Sequence, residues 1–242
     1  MKSTATIVAE TTLPGTTRCT TLRSSPPFAL RETPDGLHLV ASAAGPLGGD
    51  DLTVEVDVTD GAQLTVRTVA AQLIFPGPYG TPSTAALRAA VGEEAELRWL
   101  PSPSVLVQGA DHRSITTVTL ATTASLCWRE IVVLGRHDEP SGSWQQRLRI
   151  DRAGRPLLRT DLLLGPRWPG ADGPAGTAGA RVVGTAFIVG EAARSLVGTE
   201  LTTCAGMRAA AYPLADDAVL VSALGNAVEP IEALLTAFFG DS

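Results

Sequence analysis

The sequence is poor in charged, aromatic and cysteine residues, and it contains no long apolar run. Of its 242 residues only 18% are charged and 5% are aromatic, and the three cysteines, Cys19, Cys127 and Cys204, lie far apart. Such spacing fits neither a disulfide framework nor a zinc ribbon, so free buried thiols are expected. No stretch approaches the ~18 apolar residues of a membrane span, and the first residues, MKSTATIVAE, lack the apolar core of a signal peptide. We therefore expect a cytoplasmic protein with no membrane partner.

Basic blocks and the common catalytic motifs are also absent. The net charge is −6 and lysine and arginine form no run, which argues against a nucleic-acid partner. The sequence has no GxxxxGK[ST] loop for a nucleoside triphosphate, no GxGxxG between a strand and a helix, no GxSxG elbow and no HExxH helix. These absences favour an interaction or scaffold protein over an enzyme.

The strongest positive signal is β structure. The segments LTVEVDV (52–58) and QLTVRTV (63–69) alternate apolar and polar residues on either side of the turn TDGA. A similar unit recurs at a period of roughly 30 residues, which predicts stacked β units that bury one another's apolar faces. Chance alternation in a β-rich chain is the alternative. The central leucines of the repeat are Leu64, Leu97 and Leu126, with a weaker fourth copy at Leu157.

Helix is predicted only near the C-terminus. A turn or two is expected at 190–196, and a longer helix at 226–240, where Asn226 or Glu229 begins it, Pro230 suits the first turn and Gly240 ends it. We expect its apolar stripe to pack on the protein's own sheet rather than to dock another protein. The stripe consists of Ile231, Leu234, Leu235 and Phe238.

The chain is predicted to be one domain over 1–242. The segment PGADGPAGTAGA (169–180) has almost no large side chains and is predicted to be a flexible surface loop. A β pattern resumes directly after it, so we do not place a domain boundary there.

Two loops carry residues that could bind a ligand, but both are poor candidates. The glycine-rich GPLGGDD (45–51) precedes a strand instead of a helix and carries two aspartates, so it is a poor phosphate site. His137, Asp138 and Glu139 could offer ligands to nickel or zinc, but neighbouring side chains on an extended chain point to opposite sides. No catalytic pair is evident either, and a hydrolase with an acid pair has no support.

Asp50 and Glu130 are the most interesting acids, because each adjoins strongly apolar strand sequence. Perturbed acids in such places are often functional. The alternative roles are structural: Asp50 would cap a turn, and Glu130 would form a buried pair with Arg136.

Four motifs in a fixed order make a sharper statement. They are GGD entering a strand (48–50), GAQLTVRTVAAQLIF (61–75), ELRWLPSP (96–103) and WREIVVLGR (128–136). In this order the chain resembles the urease accessory protein UreD family, called UreH in some organisms, over roughly residues 25–165 and more weakly to the end. The resemblance implies a UreD-type all-β fold, β-helix-like or sandwich-like, with many strands in stacked sheets and one or two short helices near the C-terminus.

The resemblance also implies a urease maturation chaperone and no catalyst. Members of the family bind the urease apoprotein subunits and UreF, which recruits the GTPase UreG, so GTP hydrolysis is expected from a partner. Nickel is thought to reach the urease active site through a tunnel inside UreD. We therefore expect no tightly bound cofactor and Ni²⁺ only in transit. A β-rich protein- or carbohydrate-binding scaffold unrelated to nickel is the alternative.

The resemblance points to candidate residues for the nickel path and for its structural supports. A conduit for nickel should offer scattered oxygen donors in preference to a closed His/Cys cage. The segment 67–75 departs from the family, because Val69, Leu73 and Phe75 occupy usually polar or tyrosine positions, so the resemblance implies a less polar wall there. Our candidates for the polar lining are Asp50, Thr68, Gln72, Gln108 and Glu130. The structural motif residues are Gly48, Gly49, Trp99, Pro101, Pro103, Trp128, Gly135 and Arg136.

Overall fold

The computed structural model describes residues 1–13, 15–197 and 206–239; Cys204 and Gly240 lie outside these ranges. Within them the protein is mostly strand, with two short helices, α1 (Glu191–Arg194) and α2 (Val228–Ala237), and a 3₁₀ turn at Pro78–Gly80. The strands are β1 (Lys2–Leu13), β2 (Thr16–Ser24), β3 (Phe28–Thr33), β4 (Gly36–Ala41), β5 (Asp51–Val58), β6 (Gln63–Thr68), β7 (Gln72–Ile74), β8 (Ser83–Val91), β9 (Glu96–Leu100), β10 (Ser104–Leu106), β11 (Asp111–Leu120), β12 (Ser125–Leu134), β13 (Ser143–Arg152), β14 (Arg155–Leu164), β15 (Val182–Val189), β16 (Met207–Ala215) and β17 (Ala218–Gly225). The predicted all-β class is confirmed.

The strands form two stacked sheets. Sheet A has the order β14-β13-β11-β8-β5-β1-β2, and sheet B has the order β16-β17-β15-β12-β9-β6-β4-β3, with the short β7 and β10 pairing beside β12. Alternation along each strand puts one apolar face of each sheet inward, as in the buried-then-exposed pattern of β5 and β11. Trp128 and Phe187 from sheet B and Leu148 from sheet A are among the fully buried side chains of the shared core.

The central strands wind as parallel coils that alternate between the sheets, and these coils are stacked β units of the kind that the repeat predicted. Leu64 of β6 pairs with Leu97 of β9, and Leu97 pairs with Leu126 of β12, so the three repeated leucines form one buried row. The predicted fourth copy of the repeat, at Leu157, is wrong. Leu157 lies in β14 of sheet A, which pairs antiparallel with β13, because the chain there returns as a hairpin and does not make another coil.

Helix α2 covers the outer face of sheet B, as its apolar stripe predicted. Ile231 and Leu235 are fully buried against this face, and Leu234 and Phe238 pack at its margin. The helix begins at Val228, and neither Asn226 nor Glu229 caps it; the Asn226 side chain instead accepts a hydrogen bond from the Arg181 N–H at 3.1 Å. Within the described residues, no helix has the length and apolar character needed to cross a membrane.

Two further predictions concern Cys127 and the segment 169–180. Cys127 is a free thiol on the face of sheet B beneath α2, where burial raises its pKa to about 12. Residues 169–180 form successive hydrogen-bonded turns, and Thr177 is buried, with its N–H bonded to the Ala171 carbonyl. That this segment is flexible, and that 1–242 is a single domain, stay predictions.

Candidate functional site: a cavity between the sheets

A cavity of about 360 Å³ lies between the two sheets at the end where the GGD loop enters β5. Its walls come from the inner faces of β5, β8 and β11 on one side and of β9 and β12 on the other, and the segments 41–46 and 69–73 border it. Val69, Ala70, Ala71 and Leu73 line the cavity and are also exposed at the surface. The cavity therefore reaches the exterior at this mouth.

Polar side chains occupy the sheet A wall near the mouth. Ser83 and His112 are register partners on β8 and β11, and Asp50 directly precedes β5, with its carbonyl accepting from the Thr84 N–H at 2.7 Å. One pleat further along, Ser114 pairs with Gln146 of β13. Thr116 of β11 is the next buried polar side chain on this face, and from Val118 onward the inner face of the strand is apolar. The polar groups are therefore confined to one end of the core.

Glu130 projects from β12 of sheet B across to these residues. Its Oε1 accepts a hydrogen bond from Ser114 Oγ at 2.5 Å, and its Oε2 accepts one from Gln146 Nε2 at 2.7 Å. Burial between the sheets raises the pKa of this carboxyl, and the two hydrogen bonds oppose that rise without cancelling it. Glu130 is thus a carboxyl group inside the protein, fixed by neutral partners and in contact with the cavity.

Asp50 closes a turn and also lies on the cavity wall. Its Oδ2 accepts from the Leu47 N–H at 2.8 Å and thereby closes the turn of the GGD loop, while its Oδ1 lies 2.6 Å from the Met1 amino group. It is also buried and lines the cavity. In the described part of the chain, Asp50 and Glu130 have separate partners and do not hydrogen-bond to each other.

His112 is the buried imidazole of the cavity wall. Its Nδ1 lies 2.8 Å from Ser83 Oγ, and burial lowers the pKa of the ring to about 4. A ring with this pKa is neutral at physiological pH, so one nitrogen carries a free lone pair. Among the described residues, no group of three or more histidine, cysteine, aspartate or glutamate side chains is placed to hold a metal ion.

Comparison with known proteins identifies the family. The family model described as UreD urease accessory protein matches residues 3–240. This chain belongs to the UreD family. It is 44% identical to the urease accessory protein UreD of Parafrankia sp. (strain EAN1pec), over 88% of this chain and 79% of that one, and 45% identical to urease accessory protein UreD 3 of Streptomyces griseus, over 82% and 80%. The UreD of Frankia alni is 41% identical, over 83% and 72%.

Four of the five residues proposed from the sequence as the polar lining meet at the cavity of this UreD-family chain: Asp50, Thr68, Gln72 and Glu130. Thr68 ends β6, and its Oγ1 accepts from the Ser102 N–H at 2.8 Å. Gln108 does not join them. Its side chain is exposed in the turn between β10 and β11, because the chain leaves the sheet after Leu106 and closes a turn from Ala110 N–H to the Val107 carbonyl. Val69, Leu73 and Phe75 also line the cavity, so the apolar substitutions in this segment do fall on its wall.

The family-motif residues divide between the cavity and its supports. Trp99, Pro101 and Trp128 line the cavity, and the Pro103 carbonyl accepts from the Gln72 N–H at 2.9 Å, which fixes β7 beside β10. Among the described residues, the Trp128 Nε1–H is buried with no acceptor. Water in a cavity is the partner that such a buried donor ordinarily takes.

The glycines of the GGD motif let two loops cross. Gly48 lies against Gly77, and a Cβ on Gly77 would stand 2.2 Å from the Gly48 carbonyl oxygen. The Gly48 N–H donates to the Phe75 carbonyl, and the Gly49 N–H donates to the Pro82 carbonyl. Because side chains would separate these backbones, the motif fixes the position of the loop that presents Asp50 to the cavity.

The alternative role of Glu130, a buried pair with Arg136, is wrong. Gly135 adopts the left-handed conformation (φ 82°) directly after β12 and turns the chain out of the sheet. Arg136 therefore lies on an exposed turn, where its guanidinium bonds both carboxylate oxygens of Glu139, at 2.8 and 2.9 Å. These hydrogen bonds lower the pKa of Glu139 to about 2.

Sequence reasoning missed Ser83, His112, Ser114 and Gln146. A signal was present in DHRSITTVTL, because His112, Ser114 and Thr116 share the strand face that continues as Val118 and Leu120. Polar residues on the apolar face of a strand indicate either a buried network or a lined cavity.

Proposed function

We propose that this chain acts in urease maturation as the nickel conduit of an accessory complex, in which Ni²⁺ passes through the cavity between the sheets to the urease apoprotein. In this proposal UreF binds the chain and recruits the GTPase UreG, and the energy of GTP hydrolysis comes from that partner. Nickel is the cargo, and the chain keeps no resident cofactor. Membership of the UreD family supports the role in urease maturation.

The main support for the conduit proposal is that ionisable groups lie together on the wall of one internal cavity. Asp50 and Glu130 contribute carboxylates, and serine, threonine and glutamine side chains contribute neutral oxygen donors. A passage for a divalent cation has to offset the loss of its hydration without trapping it. Scattered oxygen donors meet this need, and among the described residues no cluster of three ligands is placed to hold an ion.

The rim of the cavity supports a partner at the mouth. Leu47, Val69 and Leu73 are exposed large apolar side chains, and the last two line the opening itself. Exposed apolar residues gathered in one place indicate a contact surface for another protein. A protein seated there would also seal the passage from bulk solvent.

The test is co-expression of the urease subunits and the other accessory proteins with and without this chain, with nickel per urease and ureolysis as the readouts. We expect the chain to raise both. Glu130→Gln keeps the side-chain shape and removes the charge, so it should lower nickel content several-fold while pull-down still recovers the complex. Asp50→Asn should act in the same direction.

The matched control is Glu55→Gln. Glu55 projects from β5 on the outer face of sheet A, where its contact with Arg88 is 3.6 Å and exposed. The Glu55→Gln variant should therefore give the same nickel content of urease as the parent. Equal nickel content without the chain would reject the proposal and favour a scaffold unrelated to nickel, and normal loading by both cavity variants would reject the conduit.

A further inference from the structure

His112 has the surroundings of a metal-binding imidazole. The ring is 3% exposed and lines the cavity, and its Nδ1 lies 2.8 Å from Ser83 Oγ. In the described part of the chain its Nε2 has no hydrogen-bond partner and is not fully enclosed by protein atoms. Nε2 is therefore the nitrogen left to face the cavity.

The contact with Ser83 gives the ring a fixed orientation. Ser83 is fully buried, and the register pairing of β8 with β11 holds its hydroxyl beside the imidazole. When Nδ1–H donates to the hydroxyl, Nε2 carries the lone pair. A metal-binding histidine ordinarily shows this arrangement, with its second ring nitrogen bonded to a protein oxygen that fixes tautomer and orientation.

Glu130 supplies a carboxylate to the same strand face from the opposite sheet, because it projects from β12 and bonds Ser114. His112 and Ser114 are two residues apart on β11, about 7 Å along the strand, and Ser114 Oγ bonds the Glu130 carboxylate. Asp50 lies on the other side, beyond Ser83. A cation that moves along this wall would meet a carboxylate, an imidazole and a second carboxylate in turn.

We propose that His112 is a transient ligand for the cation in this cavity and makes the passage prefer Ni²⁺ over Mg²⁺ and Ca²⁺. The proposal rests on the proposed function, because it assumes that the cavity is the path of the metal. Imidazole nitrogen suits nickel and other late first-row metals, whereas Mg²⁺ and Ca²⁺ take oxygen ligands. A wall of oxygen donors alone would not discriminate in this way.

The neutral state of the ring agrees with this role. Burial lowers the pKa of His112 to about 4, so no proton has to leave before the imidazole binds a metal at physiological pH. A single imidazole among separated carboxylates gives weak binding, which a transit site needs.

The experiment is an NMR titration of the full chain with Ni²⁺, which is paramagnetic and broadens nearby ring signals. The chain has three histidines, His38, His112 and His137. A His137→Asn background removes the exposed ring beside Asp138. We expect substoichiometric Ni²⁺ to broaden the His112 ring signals first, and equal Mg²⁺ to leave them unchanged.

Affinity measurements on variants complete the test. His112→Asn retains a partner for Ser83 and lacks Nε2, so it should weaken Ni²⁺ binding by about tenfold or more while Mg²⁺ binding stays the same. Ser83→Ala keeps the His112 imidazole but removes the hydroxyl that orients it, so it should weaken Ni²⁺ binding by a smaller factor. Parent-like Ni²⁺ affinity of His112→Asn, or broadening confined to His38, would overturn the proposal.

This outcome is separable from that of the proposed function. If the chain is required for nickel loading of urease but His112→Asn binds Ni²⁺ as the parent does, only the role of His112 is rejected. If nickel loading does not depend on the chain, the conduit itself fails, whatever the titration shows.

Discussion

The buried histidine makes a quantitative prediction about acid stability. Burial lowers the pKa of His112 from 6.5 to about 4 in the folded protein. Between these two values the unfolded chain binds a proton that the folded protein does not. Since stability rises with pH wherever the unfolded state binds more protons, this group stabilises the fold above pH 6.5 and loses that contribution as pH falls toward 4.

The size of the effect follows from the two pKa values. Relative to neutral pH, the His112 contribution falls by about 1 kcal/mol at pH 6, about 2 kcal/mol at pH 5 and about 3 kcal/mol at pH 4. A loss of this size is a large share of the 5–15 kcal/mol that typically stabilises a folded domain. The protein should therefore lose a large part of its free energy of unfolding in mild acid because of this one side chain.

The assay is urea unfolding of the parent and of His112→Asn at several pH values from 7.5 to 4.5. Asparagine retains a hydrogen-bond partner for Ser83 and does not titrate, so the stability difference between the two proteins should shift in favour of the variant as pH falls. Thr117→Ala, exposed on the opposite face of β11, is the control and should parallel the parent. A difference that stays constant with pH would refute the reasoning.

Two further predictions concern the same end of the sandwich. Burial raises the pKa of Glu130, so its charge costs stability as pH rises from 4.5, and the stability of Glu130→Gln relative to the parent should grow between pH 4 and 8 in the same unfolding assay; a shrinking advantage would contradict this. Gly77→Ala places a Cβ against the Gly48 carbonyl and should lower the unfolding free energy by about 1–3 kcal/mol. Gly80→Ala, where a Cβ has open space, should cost only the left-handed backbone strain of about 1 kcal/mol, and equal losses would reject the crossing argument.

The architecture could be predicted where apolar spacing determines it. The leucine period predicted stacked β units, and the structure shows that Leu64, Leu97 and Leu126 form one buried row, because residues that repeat once per coil stack. Leu157 shows the limit of this reasoning. Its local sequence matches the repeat, but whether a strand continues a coil or returns as a hairpin depends on the turn before it and on the sheet it joins.

The candidate site could be predicted only in part, because orientation outside regular strands cannot be derived from spacing. Thr68 and Glu130 lie on strands, and alternation places them inward with their apolar neighbours. Gln108 follows β10 in a turn, where alternation no longer applies. Arg136 likewise lies beyond Gly135, so its distance in sequence from Glu130 says nothing about their separation in space.

The cavity also bears on why this end of the sandwich is polar. Elsewhere between the sheets Val56, Val118, Leu120 and Ile150 close the core with apolar contacts. The raised pKa of Glu130 and the lowered pKa of His112 have one cause, the burial of groups that water would solvate better. The charge of Glu130 therefore costs folding free energy as pH rises, and the ring of His112 does so as pH falls below 6.5. Apolar residues of similar size would carry neither cost. A polar wall kept inside a fold at the expense of stability agrees with the proposal that this cavity has a function beyond folding.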